Sequence, residues 1–141
     1  MRVLVDTNVI IDVLLKRPGF FSDSQAVLRL AVQGDITALV PAGSMADIYY
    51  IIRRGGLDSA TAHGAIASLA QLVEICDTAA SDVKKALRLK MGDFEDAVMA
   101  ATAKREKAKM IISRNDSDFS ASPVPVITPK DFISSFFPHF S

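Results

Sequence analysis

The chain has 141 residues, 16 Lys+Arg against 16 Asp+Glu for a formal net charge of zero, and a hydrophobic fraction of 50%. This length supports one domain over residues 1–141 with its own core, and the composition excludes a disordered or fibrous chain. The lone Cys76 has no internal disulfide partner, no apolar run is long enough for a bilayer and the first residues lack a secretory pattern, so a cytoplasmic protein is expected, with no membrane partner.

Val3-Leu4-Val5 reads as a buried strand ending at Asp6. Asn8 to Leu15 is helical in pattern and stops before Pro18-Gly19. Ser22 is a candidate cap for a second helix, with Ala26, Val27, Leu30 and Ala31 at helical spacing and Gly34 at its end. Ile36 to Val40 is a second strand, after which Pro41 opens a helix through Met45, Ile48, Tyr49 and Ile52 to Gly55-Gly56. Leu57 to Leu72 is an Ala-rich helix and Val73 to Cys76 a third strand. Ser81 to Lys90 makes a short basic helix, and Asp93 starts another that runs to Lys107. Met110 to Ile112 is a fourth strand, Val124 to Ile127 a fifth at a sheet edge because of Pro125, and Pro129 begins a last helix. This alternation predicts a three-layer α/β/α sandwich with a mainly parallel sheet of about five strands.

The carboxylates follow the strands. Asp6 ends strand one, Asp47 lies one turn into the helix after strand two, and Asp93, Glu95 and Asp96 crowd the helix before strand four. Asn115, Asp116 and Asp118 follow strand four. In a parallel α/β sheet ligands gather at the carboxyl ends of strands, so these groups converge on one edge. Carboxylates brought together resist ionisation unless a cation neutralises them, and Mg²⁺ or Mn²⁺ is the hard ion that takes oxygen ligands. Taken singly, Ser44-x-x-Asp47 and Asp93-x-x-Asp96 also read as helix caps, and Asp116 and Asp118 as turn residues. Asp6 is costly to bury without a partner or a metal. His63 and Cys76 read as structural.

Four blocks resemble the PIN-domain ribonucleases, in the right order: Val5-Asp6-Thr7-Asn8-Val9-Ile10, Ile48 to Arg54, Asp93-Phe94-Glu95-Asp96-Ala97, and Ser113-Arg114-Asn115 to Asp118-Phe119. Pro125 to Pro129 is similar to the tail of the VapC-like branch. The resemblance implies a Mg²⁺- or Mn²⁺-dependent endoribonuclease in which a metal-activated water attacks the RNA phosphodiester. It implies Asp6, Asp96 and Asp118 as metal-binding acids, Asp47 in the place of a second acid usually Glu, and Thr7, Asn8, Ser113 and Asn115 as supports. Asp93, on the helical face of Asp96, is a further candidate ligand, and Glu95 an extra acid. Arg53, Arg54 and Arg114 are candidate RNA contacts. Many members are dimeric toxins held by an antitoxin, so a homodimer and a cognate antitoxin are expected partners.

Two other readings stand beside this one. A phosphatase of the haloacid-dehalogenase type needs a second acid where Asn8 stands. A non-catalytic PIN-fold module for RNA or protein binding remains open through the shorter Asp47. Residues 84 to 109 hold eight cations (Lys84, Lys85, Arg88, Lys90, Lys104, Arg105, Lys107 and Lys109), read as a basic flank for phosphates or as a solvated helix face.

Overall fold

The computed structural model describes residues 1–140, the side chain of Asp118 excepted. Val3, Leu4 and Val5 have no exposed surface, as expected of a strand covered on both faces. They lie in β1 (Arg2–Val5), which β2 (Thr37–Pro41), β3 (Glu74–Cys76), β4 (Met110–Ile112) and β5 (Val126–Ile127) join in one sheet. The order is β3-β2-β1-β4-β5 and every pairing is parallel, with Leu4 beside Leu39 and Ile111, and Val5 beside Ile112.

Side chains alternate along a strand, so β1 serves two cores. On one face Val3, Val5, Val40 and Ile112 meet α1 (Thr7–Leu14), α2 (Phe21–Val32), α3 (Ala42–Arg54), α4 (Ser59–Leu72) and α7 (Pro129–Phe136). On the other, Leu4, Leu39 and Ile111 meet Met99, Ala100 and Ala103 of α6 (Phe94–Arg105), against which α5 (Ala80–Ala86) packs. This is the expected three-layer arrangement. Among the described residues no helix is long and apolar enough to cross a membrane.

Several element ends differ from the sequence expectation, each for a local reason. Helix α2 starts at Phe21, leaving Ser22 inside its first turn, and Phe20 at the cap position makes no side-chain bond. Helix α4 starts two residues later than expected because Asp58 caps it, its Oδ1 accepting from the Thr61 N–H at 2.8 Å. Pro41 ends β2 and precedes α3 instead of opening it. Helix α5 stops at Ala86, and α6 at Arg105, beyond which Lys107 takes a left-handed φ of 58°. A 3₁₀ turn spans Asp116–Phe119; Asp118, expected as an acid of the site, sits there with its side chain outside the described residues.

From β1 the chain moves outward through β2 to β3, then returns to place β4 on the other side of β1 and β5 beyond it. The direction of winding therefore changes between β1 and β4, and a crevice opens at their carboxyl ends. Asp6 and Ser113 are the first residues past those two ends.

Candidate active site

Asp6 leaves β1 with extended backbone (φ −69°, ψ 152°) and caps α1, so its carboxyl is carried to the crevice by a strand end and a helix start together. Its Oδ1 accepts from the Thr7 N–H at 2.7 Å, and its Oδ2 accepts from the Ser113 hydroxyl at 2.7 Å and from Asn8 Nδ2 at 3.3 Å. Asn8 in turn accepts from the Arg114 N–H at 3.2 Å, and the Asn115 N–H donates to Ser113 Oγ at 3.1 Å. Both oxygens of Asp6 are thereby fixed, and α1 is tied to the segment after β4. Asp6 is only 7% exposed. Burial raises its pKa above the ordinary aspartate value, against the Ser113 and Thr7 hydrogen bonds and the Arg114 charge, and the Asp93 charge raises it further.

Around it the acids gather. Partial burial raises the Glu95 pKa, and the charges of Asp47, Asp93 and Asp6 each add to the rise. Glu95 thus stands within the field of three of the other carboxylates expected at this edge. Asp93 is also the N-cap of α6, its Oδ1 accepting from the Asp96 N–H at 2.9 Å, so the capping role of this pair is real and coexists with its place in the acidic group. Ser44-x-x-Asp47 is not a cap: Pro41 holds the cap position of α3, and Asp47 is exposed one turn in. Asp47 and Glu95 line two cavities. One, of about 240 Å³, is walled by Pro41, Gly43, Ser44, Phe94, Val98 and Met99; the other, of about 440 Å³, by Thr7, Tyr50, Ile51 and Arg54.

Among the described residues no three His, Cys, Asp or Glu side chains close into a metal cage. What they form is an open, oxygen-only face with excess negative charge. Thr7 Oγ1, beside the second cavity, is buried without a hydrogen-bond partner. Such donors fit a hydrated Mg²⁺ or Mn²⁺ held by few direct bonds, and not an enclosed nitrogen–sulfur site.

The basic residues have divided fates. Arg54 lines the second cavity, whereas Arg53 Nη1 donates to Leu57 O at 3.2 Å across the α3–α4 turn. Arg114 turns away from the acids: its Nε donates to Asp12 Oδ2 at 2.6 Å and its guanidinium carbon lies 4.1 Å from the Phe20 ring centre. Arg105, counted in the basic flank, is not available to phosphates; its Nε and Nη2 grip Asp82 at 3.0 Å and its Nη2 also donates to Asp77 O. The fully buried Asp12 and Asp82 were not singled out in the sequence: Asp12 pairs with Arg114, 102 residues away, as well as with Arg17 at 3.7 Å, and the partner of Asp82 stands 23 residues away. His63 bonds Ser59 O at 2.9 Å, and burial pushes the Cys76 thiol up to about 11.

The family model of the PIN domain matches residues 2–117. Ribonuclease VapC1 of Aquifex aeolicus (strain VF5) is 28% identical over 136 residues, spanning 93% of this chain and 92% of that protein. VapBC2 from Rickettsia felis, solved with a DNA fragment from its promoter, superposes with a TM-score of 0.70 at 18% identity, over 91% of this chain and 98% of that one. VapC20 from Mycobacterium tuberculosis, a sarcin-ricin loop cleaving toxin, gives 0.69 at 18% identity, over 90% and 99%. The two structures share the fold with this chain. The family match runs from β1 past β4, through both strand ends that build the crevice and every acid from Asp6 to Asp96, and on that match the chain belongs to the PIN-domain family.

Proposed function

We propose that this protein is a Mg²⁺- or Mn²⁺-dependent endoribonuclease of the VapC type, the homodimeric, cytoplasmic toxin of a toxin–antitoxin pair, with residues 1–141 acting as one domain. The observation that carries this reading is Asp6: a buried carboxylate fixed through both oxygens, near the Asp93 and Glu95 charges, with no lysine or arginine bonded to it. Asp6, Asp93, Asp96 and Asp118 hold the ion, and the shorter, exposed Asp47 contributes through water. The bound ion supplies Lewis acidity toward the phosphodiester and the attacking water.

The chain's own residues do the rest. Ser113 and the Thr7 N–H stop the Asp6 carboxyl from rotating, and Asn8 and Asn115 hold Ser113 and the following loop in register. Arg54 offers a phosphate contact on the far side of Asp47 and Glu95. The likeness to ribonuclease VapC1 supports RNA as substrate, and the likeness to VapBC2 supports an antitoxin partner. The 63%-exposed Tyr50 and the cavity of about 660 Å³ that it lines with Met45, Tyr49 and His63 support a protein-docking role for the α3–α4 face.

The test is cleavage of RNA by purified protein with Mg²⁺ or Mn²⁺, with Asp6→Asn alongside. Wild type cuts and Asp6→Asn does not. Equal cleavage by both would identify a contaminating nuclease and overturn the proposal.

A further inference from the structure

The two cavities beside the carboxylates differ in character. The larger holds Arg54, Thr7 and the exposed Tyr50. The smaller is mostly apolar, walled by Pro41, Phe94, Val98 and Met99, with Ser44, Thr78 and Thr102 also in its lining. Phe94 is the first residue of α6 and stands between Asp93 and Glu95, yet 52% of its surface is exposed. A phenyl ring left in solvent in the midst of carboxylates gives up burial that the core of this fold grants to Phe119 and Phe132. Its position makes sense if something flat and apolar-faced covers it while a charged neighbour of that object sits at the acids.

A nucleotide has that construction. We propose that the Phe94 slot binds a nucleobase of the RNA strand next to the scissile phosphate, the base stacking on the Phe94 ring against Pro41 and Met99. Single-stranded RNA is read by splaying bases onto aromatic side chains, and a stacked base tolerates a negatively charged surround that repels backbone phosphate. The strand then runs across the shared pair Asp47 and Glu95, with its scissile phosphate at the metal-binding acids and its continuation in the basin of Arg54. Phe94 is then a specificity-determining residue, and the two cavities meet at Asp47 and Glu95. This inference rests on the ribonuclease reading and deepens it.

The experiment pairs a protein change with an RNA change. Single-stranded RNA oligonucleotides that the wild type cuts in Mn²⁺ are remade with one abasic nucleotide at each position flanking the cut. These are assayed with wild type, Phe94→Ala and Phe94→Tyr, after thermal melts establish that all three fold. At one flanking position the abasic change lowers kcat/KM of wild type by roughly tenfold, in line with the usual worth of a stacked base. Phe94→Ala lowers kcat/KM on intact RNA by a similar factor and removes the abasic effect, while Phe94→Tyr keeps both near wild type. Independent, multiplying losses overturn the proposal, as does unchanged kcat/KM in Phe94→Ala. So does a Phe94→Ala variant that cuts RNA normally but binds its cognate antitoxin more weakly, which assigns the slot to protein. If no variant cuts RNA and Asp6→Asn matches wild type, it is the ribonuclease reading that fails.

Discussion

Asp6 and Asp82 are both buried aspartates near the start of a helix, and the protein treats them in opposite ways. Asp82 has no exposed side-chain surface; burial alone would raise its pKa, but the Arg105 hydrogen bonds, the Ala79 N–H, the Thr102 hydroxyl and the Arg105 charge outweigh that and hold it below the ordinary value. Asp6 has neutral donors on both oxygens, with the Arg114 and Asp93 charges opposing one another beyond them, and burial keeps its pKa raised. One carboxylate is neutralised from within the chain. The other has no bonded cation, only the unbonded Arg114 charge set against its burial, and that is the arrangement the proposed metal site calls for.

The comparison breaks most sharply at Asp6→Asn. Loss of the metal's charge stabilisation, worth several kcal/mol in such sites, lowers RNA cleavage by at least about a hundredfold. The same change removes a buried charge the fold does not pair, so the metal-free variant melts no lower than wild type in calorimetry, and up to about 1 kcal/mol more stably. A variant both inactive and much less stable would place Asp6 with Asp82 as a structural acid.

Arg105→Ala is the mirror experiment. It leaves the Asp82 carboxylate buried without its cation, a loss of 3–5 kcal/mol in fully buried pairs, here discounted to about 2–3 kcal/mol because the Arg105 side chain is 30% exposed. The melting temperature falls by roughly 5–10 °C while cleavage below the transition is unchanged. If cleavage drops as far as in Asp6→Asn, the two clusters are not energetically separate.

How far each region could be read in the sequence follows from the same physics. Asp6 was legible because a carboxylate directly after Val3-Leu4-Val5 has no cheap structural explanation, and the sheet order then places it beside Ser113. The acids of Asp93-Phe94-Glu95-Asp96 were legible as a group, and so was the cap that Asp93 makes on α6, but not that Glu95 would face both cavities. Asp82–Arg105 and Asp12–Arg114 were illegible, since opposite charges far apart in sequence look like any two surface residues until the helices are packed; only the longer Asp12–Arg17 pair is local. Arg114 stands one residue from Ser113, so proximity in sequence suggested an RNA contact where the structure has its Nε on Asp12. Helix starts shifted where a capping side chain such as Asp58 outweighed the apolar pattern.

A finer test lies in the support of Asp6. Ser113→Ala removes the hydroxyl that donates to Asp6 Oδ2 and accepts from the Asn115 N–H, without touching a carboxylate. Outer-shell partners of this kind change metal affinity or activity by about 10–100-fold, so titration with Mn²⁺ shows weaker binding and cleavage drops within that range. Unchanged Mn²⁺ affinity would mean that the Asp6 geometry is held by the Thr7 N–H and Asn8 alone.

The smallest effect is the pH dependence of Asp82. Its folded pKa lies below the 3.8 of an ordinary aspartate, so the unfolded chain binds a proton first as pH falls. The ion pair's contribution to stability is complete above about pH 4 and is lost as pH drops through the lower, folded value, with a slope of at most about 1.4 kcal/mol per pH unit for one proton. Urea titrations of the metal-free protein between pH 5 and pH 2 therefore show a steeper acid loss in wild type than in Arg105→Ala, where the pKa of Asp82 is no longer held down. The raised pKa of Asp6 acts with the opposite sign, because the folded chain takes up that proton first and gains stability until the pH reaches the unfolded value. Asp6→Asn thus leaves the acid loss in place and removes only the gain that precedes it. Equal acid slopes in wild type and Arg105→Ala would mean that Asp82 is not held ionised by its arginine, and the contrast with Asp6 would then reduce to burial alone.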